Sequence, residues 1–105
     1  MSGVRAFICV LQLEFQLPDT SDLKGKRKTL QSLKSQLSTR FGAAVAETGH
    51  QDLWQRSTLT LTLVGGDQAE LADRADALQR YADARLGDLT RWDRRMLTTT
   101  ELMDY

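Results

Sequence analysis

Apolar residues recur at every second position from Phe7 to Leu17, as Phe7, Cys9, Leu11, Leu13, Phe15 and Leu17. In an extended strand these line one face, which the pattern assigns to the core. The opposite face carries Ile8 and Val10, then Gln12, Glu14 and Gln16, so it is apolar only over its first half. Pro18 removes a ladder donor, and the following Asp-Thr-Ser-Asp supplies turn and capping residues that end the strand. From Leu23 the period lengthens. Leu23, Leu30, Leu33, Leu37 and Phe41 share one stripe of a helix, with Ser21 or Asp22 as its N-cap and Gly42 at its end. Residues 43–48 predict a short strand. Over residues 57–64, Leu59, Leu61 and Leu63 alternate with Thr58, Thr60 and Thr62, a strand with one buried and one wet face. Gly65-Gly66 breaks it. Asp67, with Glu70 three residues on, predicts a capping box for a second helix with Leu71, Ala75, Leu78, Ala82 and Leu86 inward and Gly87 as its stop. Residues 89–98 predict a fourth strand crowded by Arg91, Asp93, Arg94 and Arg95, in which one register buries Trp92 and the other exposes it. Residues 99–105 are expected to fray.

The predicted order is strand, helix, strand, strand, helix, strand. It specifies an α+β fold of the ferredoxin-like βαββαβ type, a four-stranded antiparallel sheet with two helices on one face. The second face is left for solvent or a partner. With 105 residues the chain suits a single domain over 1–105, which buries roughly two-thirds of the surface its unfolded chain exposes.

Composition narrows the function classes. Apolar residues are 41% and charged residues 27%, and no apolar run nears the roughly 20 residues that span a bilayer, so a membrane protein is not expected. Residues 1–10 lack a small-residue cleavage site, and the single cysteine, Cys9, cannot form an internal disulfide; both readings point to the cytoplasm. Formal net charge is zero, yet the charges are sorted. Residues 23–46 contain Lys24, Lys26, Arg27, Lys28, Lys34 and Arg40 and no acid, whereas acids lead over residues 67–88. Such polarisation bears on partners more than the total does.

The run Ser21-Asp22-Leu23-Lys24-Gly25-Lys26-Arg27, then Arg40-Phe41, then Ala46-Glu47-Thr48-Gly49-His50-Gln51-Asp52-Leu53-Trp54-Gln55-Arg56 resembles the YlxP-like bacterial family of unknown function. The resemblance covers nearly the whole chain, and its specific part is His-Gln-Asp-Leu-Trp-Gln-Arg. Family members usually begin the first segment Ser-Leu-Lys, where this chain has Ser-Asp-Leu-Lys. The resemblance implies the ferredoxin-like fold and, through the placing of the family's gene among translation and ribosome-maturation genes, a link to RNA. It carries no catalytic residues.

The residues also argue against an enzyme. A metal site needs several converging ligands, and here one histidine, His50, stands near Asp52 and Glu47, where a hydrogen-bonded loop histidine is the simpler reading. Cys9 points at the predicted core and is read as an inert packing residue. No glycine loop precedes either helix to cradle a phosphate. Acylphosphatases share the topology but depend on an Arg in the first loop and on an Asn; this chain has no Asn, and that loop has no Arg. No catalytic residue, cofactor or metal is therefore expected. RNA-recognition domains, of the same topology, stack bases on sheet aromatics, whereas the outward positions here are Ile8, Val10, Thr58, Thr60 and Thr62.

Three readings remain. The first is an RNA- or ribosome-associated module docking through Lys24, Lys26, Arg27, Lys28 and Lys34 on the first helix and through His50, Trp54 and Arg56 in the 49–56 loop. Against it, the lysines suit a merely solvated face, with Lys24 and Lys28 on one side, Lys26 and Lys34 elsewhere on the outer arc, and Arg27 able to lay its stem along the core. Likewise Trp54 could close the loop against the sheet edge while His50 and Asp52 hold its backbone. The second reading is a homodimer or small-ligand module that uses the open sheet face. The third, an enzyme, would have only Glu47, His50 and Asp52 to work with.

Overall fold

The computed structural model describes residues 4–17, 21–87 and 89–103. The elements are β1 (Phe7–Gln16), α1 (Leu23–Phe41), β2 (Ala44–Gly49), β3 (Arg56–Gly65), α2 (Gln68–Leu86), β4 (Thr90–Thr98) and α3 (Thr99–Leu102). The strands form one antiparallel sheet in the order β2-β3-β1-β4. This is the α+β, ferredoxin-like arrangement that the alternating periods specify.

The period-2 residues of the two central strands meet the period-3.6 residues of the helices. Cys9, Leu11 and Leu13 of β1 and Leu59, Leu61 and Leu63 of β3 are fully buried, in a core shared with Leu30, Leu33 and Leu37 of α1 and Leu71, Ala75, Leu78 and Ala82 of α2. A leucine so placed contributes about 1.5–3 kcal/mol relative to an exposed one. Asp22 caps α1 by accepting from the Gly25 amide at 2.7 Å, and Gly42, at φ 69°, ends it in the left-handed region. Asp67 caps α2 through the Glu70 amide at 2.9 Å. Only that half of the predicted capping box forms, because the Glu70 carboxylate turns toward Arg74, 3.7 Å away.

Register decides the ambiguous fourth strand. Trp92, Arg94 and Met96 lie opposite Leu13, Leu11 and Cys9, on the helix side of the sheet. Trp92 is half-buried against the core and donates from Nε1 to Asp83 of α2 at 2.8 Å. Arg94 escapes burial because β4 is an edge strand. Its guanidinium reaches α2, donating to Asp76 at 2.6 Å, Gln79 at 3.0 Å and the Ala72 carbonyl at 3.2 Å.

The expectation that the tail from residue 99 frays is corrected over Thr99–Leu102. A reciprocal capping box between Thr98 and Glu101 starts a single helical turn there, and the Thr99 amide donates to the Ala6 carbonyl at 3.0 Å. Residues 104 and 105 lie outside the described residues.

Candidate functional site

One end of the sheet gathers the C-terminus of β1, the start of α1, the β2–β3 loop and the start of β4. The loop's shape begins in its backbone. Thr58 Oγ1 and Cβ lie where a side chain at Gly49 would sit, 2.9 and 3.0 Å from an ideal Cβ, and the β2–β3 ladder shifts register there. His50 follows in the left-handed region at φ 57°, and its carbonyl accepts from the Leu53 amide at 3.1 Å.

The same carbonyl accepts from Lys26. Lys26 is only 1% exposed, and its ammonium donates to the His50 carbonyl at 2.6 Å and to the Leu53 carbonyl, with Gln51 O farther off at 3.4 Å. It also pairs with Glu47 Oε2 at 3.0 Å, and Ser57, itself buried, donates to that oxygen at 2.8 Å. Burial pushes the Glu47 carboxyl upward, but the hydrogen bonds from Ser57 and Lys26 and the charges of Lys26 and Lys34 outweigh it and hold Glu47 below its usual 4.5.

This corrects the placing of Lys26 on the outer arc. Lys26, Leu30, Leu33 and Leu37 form the true inward stripe, and Leu23, expected to begin it, is 39% exposed. A lysine in that stripe is tolerated because the loop carbonyls and Glu47 satisfy its donors. The signal was present in the i, i+4, i+7 spacing from Lys26 to Leu30 and Leu33. Arg27 is exposed, so the cation that enters the interior is its neighbour.

The loop is accordingly closed by Lys26 from below, where a Trp54 packed on the sheet edge had been one expectation. Trp54 is 38% and Leu53 47% exposed. Asp52 is exposed and makes no side-chain hydrogen bond among the described residues; Gln51 Nε2, donating to the Glu47 carbonyl at 3.1 Å, helps hold the backbone instead. His50 Nδ1 shares a 3.2 Å hydrogen bond with Thr58 Oγ1.

Of the remaining candidates, Lys24, Arg27 and Lys28 are exposed along one flank of α1's first turns, and Arg56 is exposed at the start of β3. Lys34 stands apart, partly buried, in the groove between α1 and β2. Among the described residues none of these five cations lies within 4.0 Å of a carboxylate. The middle of the open sheet face is polar, with Thr48 and Thr60 hydroxyls 2.7 Å apart and Gln12 reaching Thr60 at 3.3 Å. Ile8, paired with Val64 on one side and Leu97 on the other, makes its far corner apolar.

Two residues that the sequence reading passed over belong to the same end of the sheet. Glu14 and Arg91 face each other across β1 and β4, and with Gln16, His50 and Arg56 they line a cleft of about 260 Å³ on the open face. No group of three His, Cys, Asp or Glu side chains that could hold a metal ion occurs among the described residues, and no helix is long and apolar enough to cross a membrane.

A protein-family model described as a protein of unknown function, DUF503, matches residues 8–96. The chain belongs to the DUF503 family. It is also 24% identical over 66 residues to the uncharacterized protein YlxP of Bacillus subtilis (strain 168), covering 63% of this chain and 72% of that protein. Among solved structures, the de novo designed protein Foldit4 superposes with a TM-score of 0.61 at 8% identity, over 89% of this chain and 97% of that one. The flavoenzyme CrmK gives 0.57 at 16% identity, and the dinuclear metal binding peptidase YXEP of Bacillus subtilis gives 0.57 at 11%. The chain covers 93% and 87% of its own length in these matches but spans only 21% and 26% of those two proteins. A designed protein, a flavoenzyme and a peptidase sharing one backbone at such identities establish the fold alone.

Proposed function

We propose that this DUF503 chain is a non-enzymatic module that binds structured RNA, free or within a ribosomal particle, through the outer flank of α1 and the loop pinned against it. The observation that carries the reading is the inward turn of Lys26. By holding the carbonyls of His50 and Leu53, it fixes the loop against the first turns of α1 and leaves Trp54 exposed on the same end of the molecule as Lys24, Arg27 and Lys28. A half-exposed tryptophan at the same end as cations that meet no carboxylate among the described residues suits stacking on a base with phosphates alongside. Three phosphate contacts of this kind give a log–log salt slope of about −2 to −3. Direct binding of total ribosomal RNA and of isolated ribosomal subunits, measured at low and high salt for the native chain and for the triple variant Lys24→Glu, Arg27→Glu, Lys28→Glu, tests it. Absence of binding at low salt, or binding indifferent to the three reversals, would end the proposal.

A homodimer through the open sheet face is the second reading. It is favoured by the apolar corner of Ile8, Val64 and Leu97, where Val64 is 62% exposed. A monomer by light scattering at high protein concentration would count against it.

A further inference from the structure

We infer that the cleft at the end of the open sheet face is a phosphate site that seats one phosphodiester of the bound RNA; its source rests on the RNA-binding reading, and its chemistry does not. β1 lies between β3 and β4, and the register sets Arg56 beside Gln16 and Arg91 beside Glu14. Two guanidiniums therefore flank the last turn of the β1 pleat from opposite sides. Both are exposed, and among the described residues neither makes a side-chain hydrogen bond or lies within 4.0 Å of a carboxylate. Each offers a planar fork of N–H donors that matches two oxygens of a phosphate.

His50 completes the wall. Its Nδ1 is engaged with Thr58, so the ring is oriented and Nε2 is the polar atom left for a ligand. Glu14 is the single carboxylate lining the cleft, against two arginines and a histidine. Of the hydroxyls nearby, Ser57 is committed to Glu47 and Thr90 to Asp83 at 2.9 Å, while the exposed Gln16 amide, with no side-chain partner among the described residues, is a further donor for the ligand. The volume, about 260 Å³, falls just below the roughly 300 Å³ at which small-molecule clefts begin. It suits a phosphate with part of a sugar better than a whole cofactor. Because Arg56 and His50 belong to the Lys26-pinned loop and its exit strand, the cleft continues the α1 surface around the sheet end, and one RNA backbone can pass over both.

The test is a three-arm titration of the full chain with a short RNA hairpin, uridine monophosphate and inorganic phosphate, read by the side-chain N–H resonances of Arg56 and Arg91 and the backbone amides of α1. The hairpin should move both guanidinium resonances together with α1. Arg91→Ala should weaken hairpin binding about tenfold and reduce the salt slope by about 1. Hairpin binding that moves α1 but leaves Arg56 and Arg91 in place would overturn the cleft and spare the RNA reading. Shifts of the two guanidiniums with uridine monophosphate or phosphate, without hairpin binding, would uphold the phosphate site and assign it to a free phosphate ester. Silence of both guanidiniums in every arm would overturn the site.

Discussion

The ammonium of Lys26 lies 3.0 Å from Oε2 of Glu47, and that pair joins the first turns of α1 to the last residues of β2 beneath the 49–56 loop. An ion pair this buried adds little to stability in itself, since both charges lose hydration. Its effect is on specificity. The remaining ammonium donors go to the carbonyls of His50 and Leu53, so a loop conformation that withdraws either carbonyl leaves a buried donor unsatisfied.

Removing the lysine should accordingly cost more than the pair contributes. Lys26→Met leaves the half-buried Glu47 carboxylate and two carbonyls without their donor, a loss of about 3–5 kcal/mol. Chemical denaturation measures it, and amide exchange at Leu53 should rise in the same variant. In the Lys26→Met background, Glu47→Gln should be far less harmful than in the native chain, because the carboxylate it neutralises is already unpaired.

Glu47 also fixes an acid-side limit. Its carboxyl is held lower in the folded chain than in the unfolded one, so the folded state binds fewer protons. The stabilisation is complete above the unfolded value of 4.5 and is lost as pH falls through the lower folded value. Stability curves measured below about pH 4.5 should be shallower for Glu47→Gln than for the native chain. Parallel curves would show that the proton goes elsewhere.

Cys9 reports on the central strand. It is fully buried; burial pushes its thiol up, and the Arg94 charge offsets this only in part. Labelling by a thiol reagent at neutral pH should therefore wait on opening of β1, so that the native rate falls below the denatured rate by the opening equilibrium constant. Lys26→Met should accelerate it in proportion to its loss of stability. Fast labelling of the native chain would show that β1 opens locally.

The fold was legible because its two periods are clean. Leu59, Leu61 and Leu63 could face only one way, and Gly42 and Gly87 mark helix ends at which the chain does turn. Three features were not legible, each because a side chain's surroundings overrode its type. Lys26 reads as a surface cation until the loop carbonyls that satisfy it are in place, and Trp92 has no face until the β1–β4 register is set. The facing of Glu14 and Arg91 joins residues far apart in the chain through the same register. Among the candidate site residues, the exposure of Lys24, Lys28 and Arg56 followed from their polar context, whereas Trp54 and Arg27 stay exposed because Lys26 closes the loop and enters the interior in their place, and Lys34 turned toward β2 because α1 lies over that edge.

The central claim is that the pinned loop and the outer flank of α1 act as one RNA-binding surface. Its most direct test is the affinity for ribosomal RNA of four chains at low salt: native, Lys24→Glu/Lys28→Glu, Trp54→Ala and Lys26→Met. The account predicts that charge reversal abolishes most binding and that Trp54→Ala weakens it by about 1–3 kcal/mol without loss of stability. It also predicts that Lys26→Met, although its cation is buried, weakens binding at temperatures where the chain remains folded. Undiminished affinity in folded Lys26→Met and in Trp54→Ala would contradict it.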